Sequence, residues 1–181
     1  MIESAHELAE RIASADAVPG SGWVAGIAAG FAAALVAKSA ARSEGWAGAE
    51  GARAQALDLR DRLLALAAQD ARAYERALTA LERRDSGLAR ALDKAAEVPL
   101  AIAETAADVS QLAAEAAEQA EGSARADASA AAALAAGAAR AAARLVEVNL
   151  TAVSEDERVA RAKRAAQTGD DAAKRAFAAE P

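Results

Sequence analysis

Val18-Pro-Gly-Ser-Gly-Trp-Val-Ala-Gly-Ile-Ala-Ala-Gly-Phe-Ala-Ala-Ala-Leu-Val-Ala37 carries no charge, and within it Gly22, Gly26, Gly30 and Ala34 recur at every fourth position. On a helix, that interval lays four small residues along one face as a stripe almost free of side chains. Glycine inside a helix costs about 0.5 to 1 kcal/mol relative to alanine, so three at a fixed interval require a compensating close approach by another backbone or a ligand. The stretch reads as a central helix packed at close quarters.

The rest of the chain extends that reading. Alanine fills 63 of the 181 positions, aromatic residues make up 3%, and charges recur at intervals of three and four. These are helix signals, and no run of β-branched and aromatic residues alternates as a strand would. The expected fold class is all-α, a bundle of about five or six helices with long small-residue helices. Alanine side chains bury little apolar area each, so the core must be thin. Close helix packing and completion by a second copy lead us to expect a homodimer.

Composition also excludes whole classes of function. Cysteine is absent and His6 is the single histidine, which removes disulfides and leaves almost no material for a metal centre; no metal is expected. A net charge of −6, without clusters of Lys and Arg among aromatics, gives no footprint for nucleic acid. The uncharged run from Ala17 to Ala37 begins with Pro19 and glycines. Its continuously helical part, Trp23 to Ala37, is read as shorter than the about 20 strongly apolar residues of a membrane span. Met1-Ile-Glu-Ser-Ala-His-Glu7 lacks the basic start and apolar run of a signal peptide, so a cytoplasmic protein without membrane contact is expected.

Punctuation residues divide the chain. A first amphipathic helix covers Ile2 to Ala15, Pro19 and Gly20 stop it, and the stripe helix runs to Arg42. A leucine-rich helix from Ala49 to Arg84 ends at Asp85-Ser-Gly. The helix from Leu88 meets Pro99, where a break or kink at Val98 is expected before a further helix to Glu121. Asp127 is read as the N-cap of an alanine helix reaching Val153. From Ser154 the composition becomes charged; residues 1–168 are taken as one domain and 169–181 as a charged tail, a loose helix or none.

Among residues able to carry chemistry, Asp70 is the sharpest. At about 100° per residue, Leu63, Ala67, Tyr74 and Leu81 fall within about 60° of it, while Arg62, Gln69, Arg72, Arg76 and Arg83 lie on the far side. A carboxylate in a core-facing stripe must be paired, hydrogen-bonded or used. Burial would raise its pKa toward the range of proton exchange near neutral pH. Two readings stay open for Asp70: an acceptor for a neighbouring helix N-terminus or an Arg, and a proton-transfer group. Asn149 is read first as a donor between helices. The Pro19-Gly20-Ser21-Gly22 turn offers free N–H groups, either as a plain helix start or as an anion or carbonyl site.

In order, these pieces resemble the cyclodeaminase and methenyltetrahydrofolate cyclohydrolase family, the module found as the C-terminal half of formiminotransferase-cyclodeaminase. The resemblance rests on five pieces over nearly the whole chain: Pro19-Gly-Ser-Gly-Trp23 before the small-residue helix, Leu64-Ala-Leu-Ala-Ala-Gln-Asp70-Ala-Arg-Ala-Tyr74, Glu97-Val-Pro-Leu-Ala-Ile-Ala-Glu104, Asp127, and Asn149-Leu150. It implies an all-helical homodimer that binds a tetrahydrofolate derivative as substrate, without a metal. By the same resemblance Asp70 is the catalytic proton-transfer residue, and Gly20, Ser21, Gly22, Trp23, Tyr74, Asp127 and Asn149 bind the folate. The implied reaction closes or opens the bridge between the folate nitrogens, as a cyclodeaminase or a cyclohydrolase. The sequence departs from the family pattern at Ser21, Trp23, Lys38 to Ser43 and Gly122-Ser123. These departures motivate a second expectation, a helical dimeric binding or scaffolding module that has lost catalysis.

Overall fold

The computed structural model of the chain describes residues 4–16, 18–83, 88–150 and 156–179, and every regular element within them is an α-helix. They are α1 (Ala5–Ala13), α2 (Ser21–Ala41), α3 (Ala49–Glu82), α4 (Leu88–Gln119), α5 (Gly122–Asn149) and α6 (Glu157–Ala178). The all-α expectation stands. Helices α2, α4 and α5 pack on one another at the centre, α3 covers α2 and α4, and α6 covers α4 and α5. The short α1 opens on a reciprocal cap in which the Glu7 N–H donates to the Ser4 hydroxyl and the Ser4 N–H to the Glu7 carboxylate. It buries none of its residues.

The glycine stripe has its partner within the same chain. A Cβ added at Gly26 would lie 2.9 Å from the Ala67 Cβ, one at Gly30 would lie 3.1 Å from the Leu64 Cδ2, and one at Gly22 would run into the Asp70 carboxyl group. Steps of four on α2 meet steps of three on the antiparallel α3, the interdigitation of bundle helices. Close approach, which only missing side chains permit, offsets the helical cost of the glycines. α2 is 21 residues long and ends close to the expected Arg42, and by length and composition it is apolar enough to cross a membrane. More than half of its most apolar window is buried inside the bundle. Burial, rather than length, marks it as a core helix.

Three further expectations are corrected. α4 runs unbroken through Pro99, because packing holds the flanking Ala96, Val98, Leu100, Ile102 and Ala103, all buried, and because the carbonyl that proline leaves without a donor finds one elsewhere. α5 begins at Gly122 with Glu121 as its cap, so Asp127 is not an N-cap but lies inside the helix, its carboxylate 2.7 Å from the Lys38 ammonium. Gly122, at φ +51, turns the chain in two residues, and the Arg125 guanidinium donates to the Ala117 and Ala120 carbonyls at the end of α4.

Residues 169–178 are not a tail. They continue α6, whose Ala162, Ala165, Gly169, Ala172 and Ala176 form a buried face at alternating intervals of three and four. Ser110 donates its hydroxyl between the Ala132 and Gly169 carbonyls, and Arg161 with Glu104 and Arg175 with Glu118 tie the rim of α6 to α4. The charged residues occupy the outer face and conceal the alanine stripe in a reading by composition. α3 ends at Glu82 with Arg83 as its cap, and α5 ends at Asn149 with Leu150 as its cap rather than at Val153; Asp85-Ser-Gly lies outside the described residues.

Candidate functional site

Four helices meet around a cavity of about 250 Å³. Gly20, Ser21 and Gly22 enter it from the start of α2, Asp70 and Tyr74 from α3, Ala95 and Pro99 from α4, and Leu145, Val148 and Asn149 from α5. Asp70 and Tyr74 stand one helical turn apart and so share a face, with Tyr74 at the rim, 43% exposed. Leu145, Val148 and Asn149 are three and four residues apart and share a face of α5 in the same way.

Asp70 is held against the backbone of Gly22. A Cβ at Gly22 would lie 2.6 Å from the Asp70 Cγ, so only glycine leaves room for the carboxyl group there. The N–H of Trp23 donates to that carboxyl. The first amides of α2 have no acceptor within the helix, and Gly20 supplies no side-chain cap, so the positive end of the helix is directed at Asp70. Burial pushes the Asp70 pKa up from its ordinary 3.8 to about 6, and the Trp23 N–H draws it back only in part. Among the described residues no basic side chain lines the cavity to pair with it. The result is a carboxyl whose protonation changes near pH 6 rather than in acid.

Asn149 belongs to the wall supplied by α5. Its Nδ2 donates to the Ala95 carbonyl at 2.8 Å. Ala95 lies four residues before Pro99, so this is the carbonyl that the missing proline N–H leaves without its helical donor. Asn149 is thus a donor between helices, as read from the sequence, and it also lines the cavity.

Gly20, Ser21, Gly22, Asp70, Tyr74 and Asn149, six of the residues expected at the site, thus come together around one cavity. Trp23 joins through its backbone N–H, and its indole is not part of the lining. Asp127 stands apart from the cavity in its ion pair with Lys38. The two readings of Asp70 turn out not to compete, since it accepts from a helix N-terminus and also faces the cavity. Sequence reasoning missed Ala95, Pro99, Leu145 and Val148 as walls. Helical spacing from Asn149 would have found Leu145.

The family model for formiminotransferase-cyclodeaminase matches residues 4–168. Among solved structures, formiminotetrahydrofolate cyclodeaminase from Thermotoga maritima superposes with a TM-score of 0.85 at 22% identity, covering 96% of this chain and 93% of that chain. No curated protein matches the chain. At that identity the superposition bears on the fold, which it supports along nearly the full length. With the family model matching all but the ends of a chain folded in this way, the protein belongs to the formiminotransferase-cyclodeaminase family.

Proposed function

We propose that this chain is a folate one-carbon enzyme acting at the formimino or methenyl bridge of tetrahydrofolate, of the formiminotetrahydrofolate cyclodeaminase or methenyltetrahydrofolate cyclohydrolase type. The observation that carries the proposal is the Asp70 carboxyl, half-buried against the Gly22 backbone, with its pKa pushed up to about 6. In the deaminating direction the folate N10 attacks the formimino carbon and gives a tetrahedral centre bearing an amino group. That nitrogen takes up a proton, the C–N bond breaks and ammonia leaves, closing the methenyl bridge. In the hydrolytic direction water attacks the bridge carbon, loses a proton, and one C–N bond opens. Each course moves a proton beside a developing charge, the task for which Asp70 is poised.

The cavity lies just below the about 300 to 1,000 Å³ of sites that enclose drug-sized ligands, so it suits the reacting end of a folate with the remainder outside. The departures behind the non-catalytic reading weigh little here. Trp23 serves through its backbone N–H, and Lys38 pairs with Asp127 away from the cavity. Tetrahydrofolate as substrate, catalysis without a metal and a cytoplasmic location belong to the same proposal. So does a homodimer, for which the outer face of α2 and α5 is suited: Phe31 is 61% exposed, and Val24, Ala28 and Leu134 line a shallow groove. Light scattering of the purified protein should give twice the mass of one chain, and a monomer would remove the dimer from the proposal.

The test of the activity is spectroscopic. Purified protein should change the near-ultraviolet absorbance of methenyltetrahydrofolate, or form it from 5-formiminotetrahydrofolate, faster than buffer does, and Asp70→Asn should abolish the difference. An unchanged rate in the variant would remove Asp70 from its role. Absence of any rate above buffer, with no thermal stabilisation by folates, would favour the non-catalytic module.

A further inference from the structure

Pro99 lies in the middle of α4 and lines the cavity, yet the helix continues through it. Proline has no N–H, so the Ala95 carbonyl lacks the helical donor that its neighbours keep. Asn149 reaches across from α5 and supplies one through Nδ2. A carboxamide has its donor and its acceptor on opposite sides of a single carbon. Committing the nitrogen to Ala95 therefore fixes which way round the amide stands. Among the described residues nothing donates to the Asn149 Oδ1, and this residue is part of the cavity wall.

We propose that Pro99 is a positioning residue: by leaving the Ala95 carbonyl without its helical donor, it captures the Asn149 nitrogen and presents the Asn149 Oδ1 to the cavity as an acceptor for a ligand N–H. With an ordinary residue at position 99, the helix would satisfy Ala95 by itself and the amide would be free to turn. The α5 wall of the cavity is thus set to accept rather than to donate, which selects ligands that carry an N–H at that edge, as reduced pterins do. The identity of the ligand rests on the folate reading above; the linkage from Pro99 to Asn149 does not.

The test uses the full chain, Pro99→Ala, Asn149→Ala and the double variant, with three measurements. The first is exchange of the Asn149 side-chain NH2 with solvent by ¹⁵N NMR, which should be slow in the parent and fast in Pro99→Ala. The second is thermal unfolding: Pro99→Ala should raise Tm, and Asn149→Ala should lower it in the parent but leave it unchanged in the Pro99→Ala background. The third is calorimetric binding of 5-formyltetrahydrofolate. Pro99→Ala and Asn149→Ala should each weaken it about tenfold, and the double variant no further than Asn149→Ala. An Asn149 NH2 that stays protected in Pro99→Ala, or effects of the two substitutions that simply add, would overturn the proposal. If the parent does not bind 5-formyltetrahydrofolate, the folate reading fails, while exchange and unfolding still decide the role of Pro99.

Discussion

Replacing Asp70 with asparagine should make the protein more stable above neutral pH while removing its activity. The two side chains have the same shape, and the asparagine Oδ1 can still accept from the Trp23 N–H. What changes is charge. In the unfolded chain the carboxyl ionises at its ordinary 3.8, and in the folded protein at about 6. Between those values the folded state holds a proton that the unfolded state has released. Stability attributable to this group therefore falls as pH rises from about 4 through about 6, and stays low above that. At 1.36 kcal/mol per pH unit between the two values the ceiling is about 3 kcal/mol. The carboxyl keeps contact with water in the cavity, and allowing for that screening leaves about 1 to 2 kcal/mol.

Chemical denaturation of the parent and of Asp70→Asn at intervals from pH 4 to pH 8 measures the effect, and the remaining carboxylates cancel in the difference. The variant should gain on the parent through the window around pH 4 to 6 and keep a constant advantage above pH 7. A difference that does not change with pH, or an advantage that appears only in acid, would refute burial as the cause of the raised pKa.

Other outcomes follow from the same contacts. Gly22→Ala places a methyl group where the Asp70 carboxyl stands, so turnover should be lost while the helical circular dichroism is retained. Gly26→Leu forces α2 away from Ala67 and should cost about 1 to 3 kcal/mol in denaturation, against near-neutral behaviour if the stripe met only a loose groove. Ending the chain after Thr168 strips Gly169, Ala172 and Ala176 from α4 and α5 and should lower Tm by about 5 °C or more. An unchanged Tm would mean that the second half of α6 adds nothing to the bundle.

The fold was largely legible in the sequence because its two strongest signals are local. Glycines every fourth residue demand a close neighbour, and alanine with charges at helical intervals leaves no alternative to helices. The errors share a different origin. Pro99 breaks a helix by local rules, but the donor that rescues Ala95 comes from Asn149, 54 residues away. Asp127 has the chemistry of a cap, yet Gly122 and the alanines around it start α5 earlier and leave the carboxylate to Lys38. The buried face of α6 is an alternation of alanines and one glycine among charges, so average composition hides it. At the site, Asp70 was visible as a carboxylate in an apolar stripe, while the walls from Leu145 and Val148 depend on how α5 is rotated against α3. That rotation is set by packing across the whole bundle rather than by residues near the site.

The central claim is that a half-buried carboxyl at position 70 exchanges protons at a folate site. A ¹³C NMR titration of the Asp70 carboxyl, with and without 5-formyltetrahydrofolate, tests it most directly. The account predicts a midpoint near pH 6 in the free protein that moves when the folate binds. A midpoint near pH 4, unmoved by the folate, would contradict it.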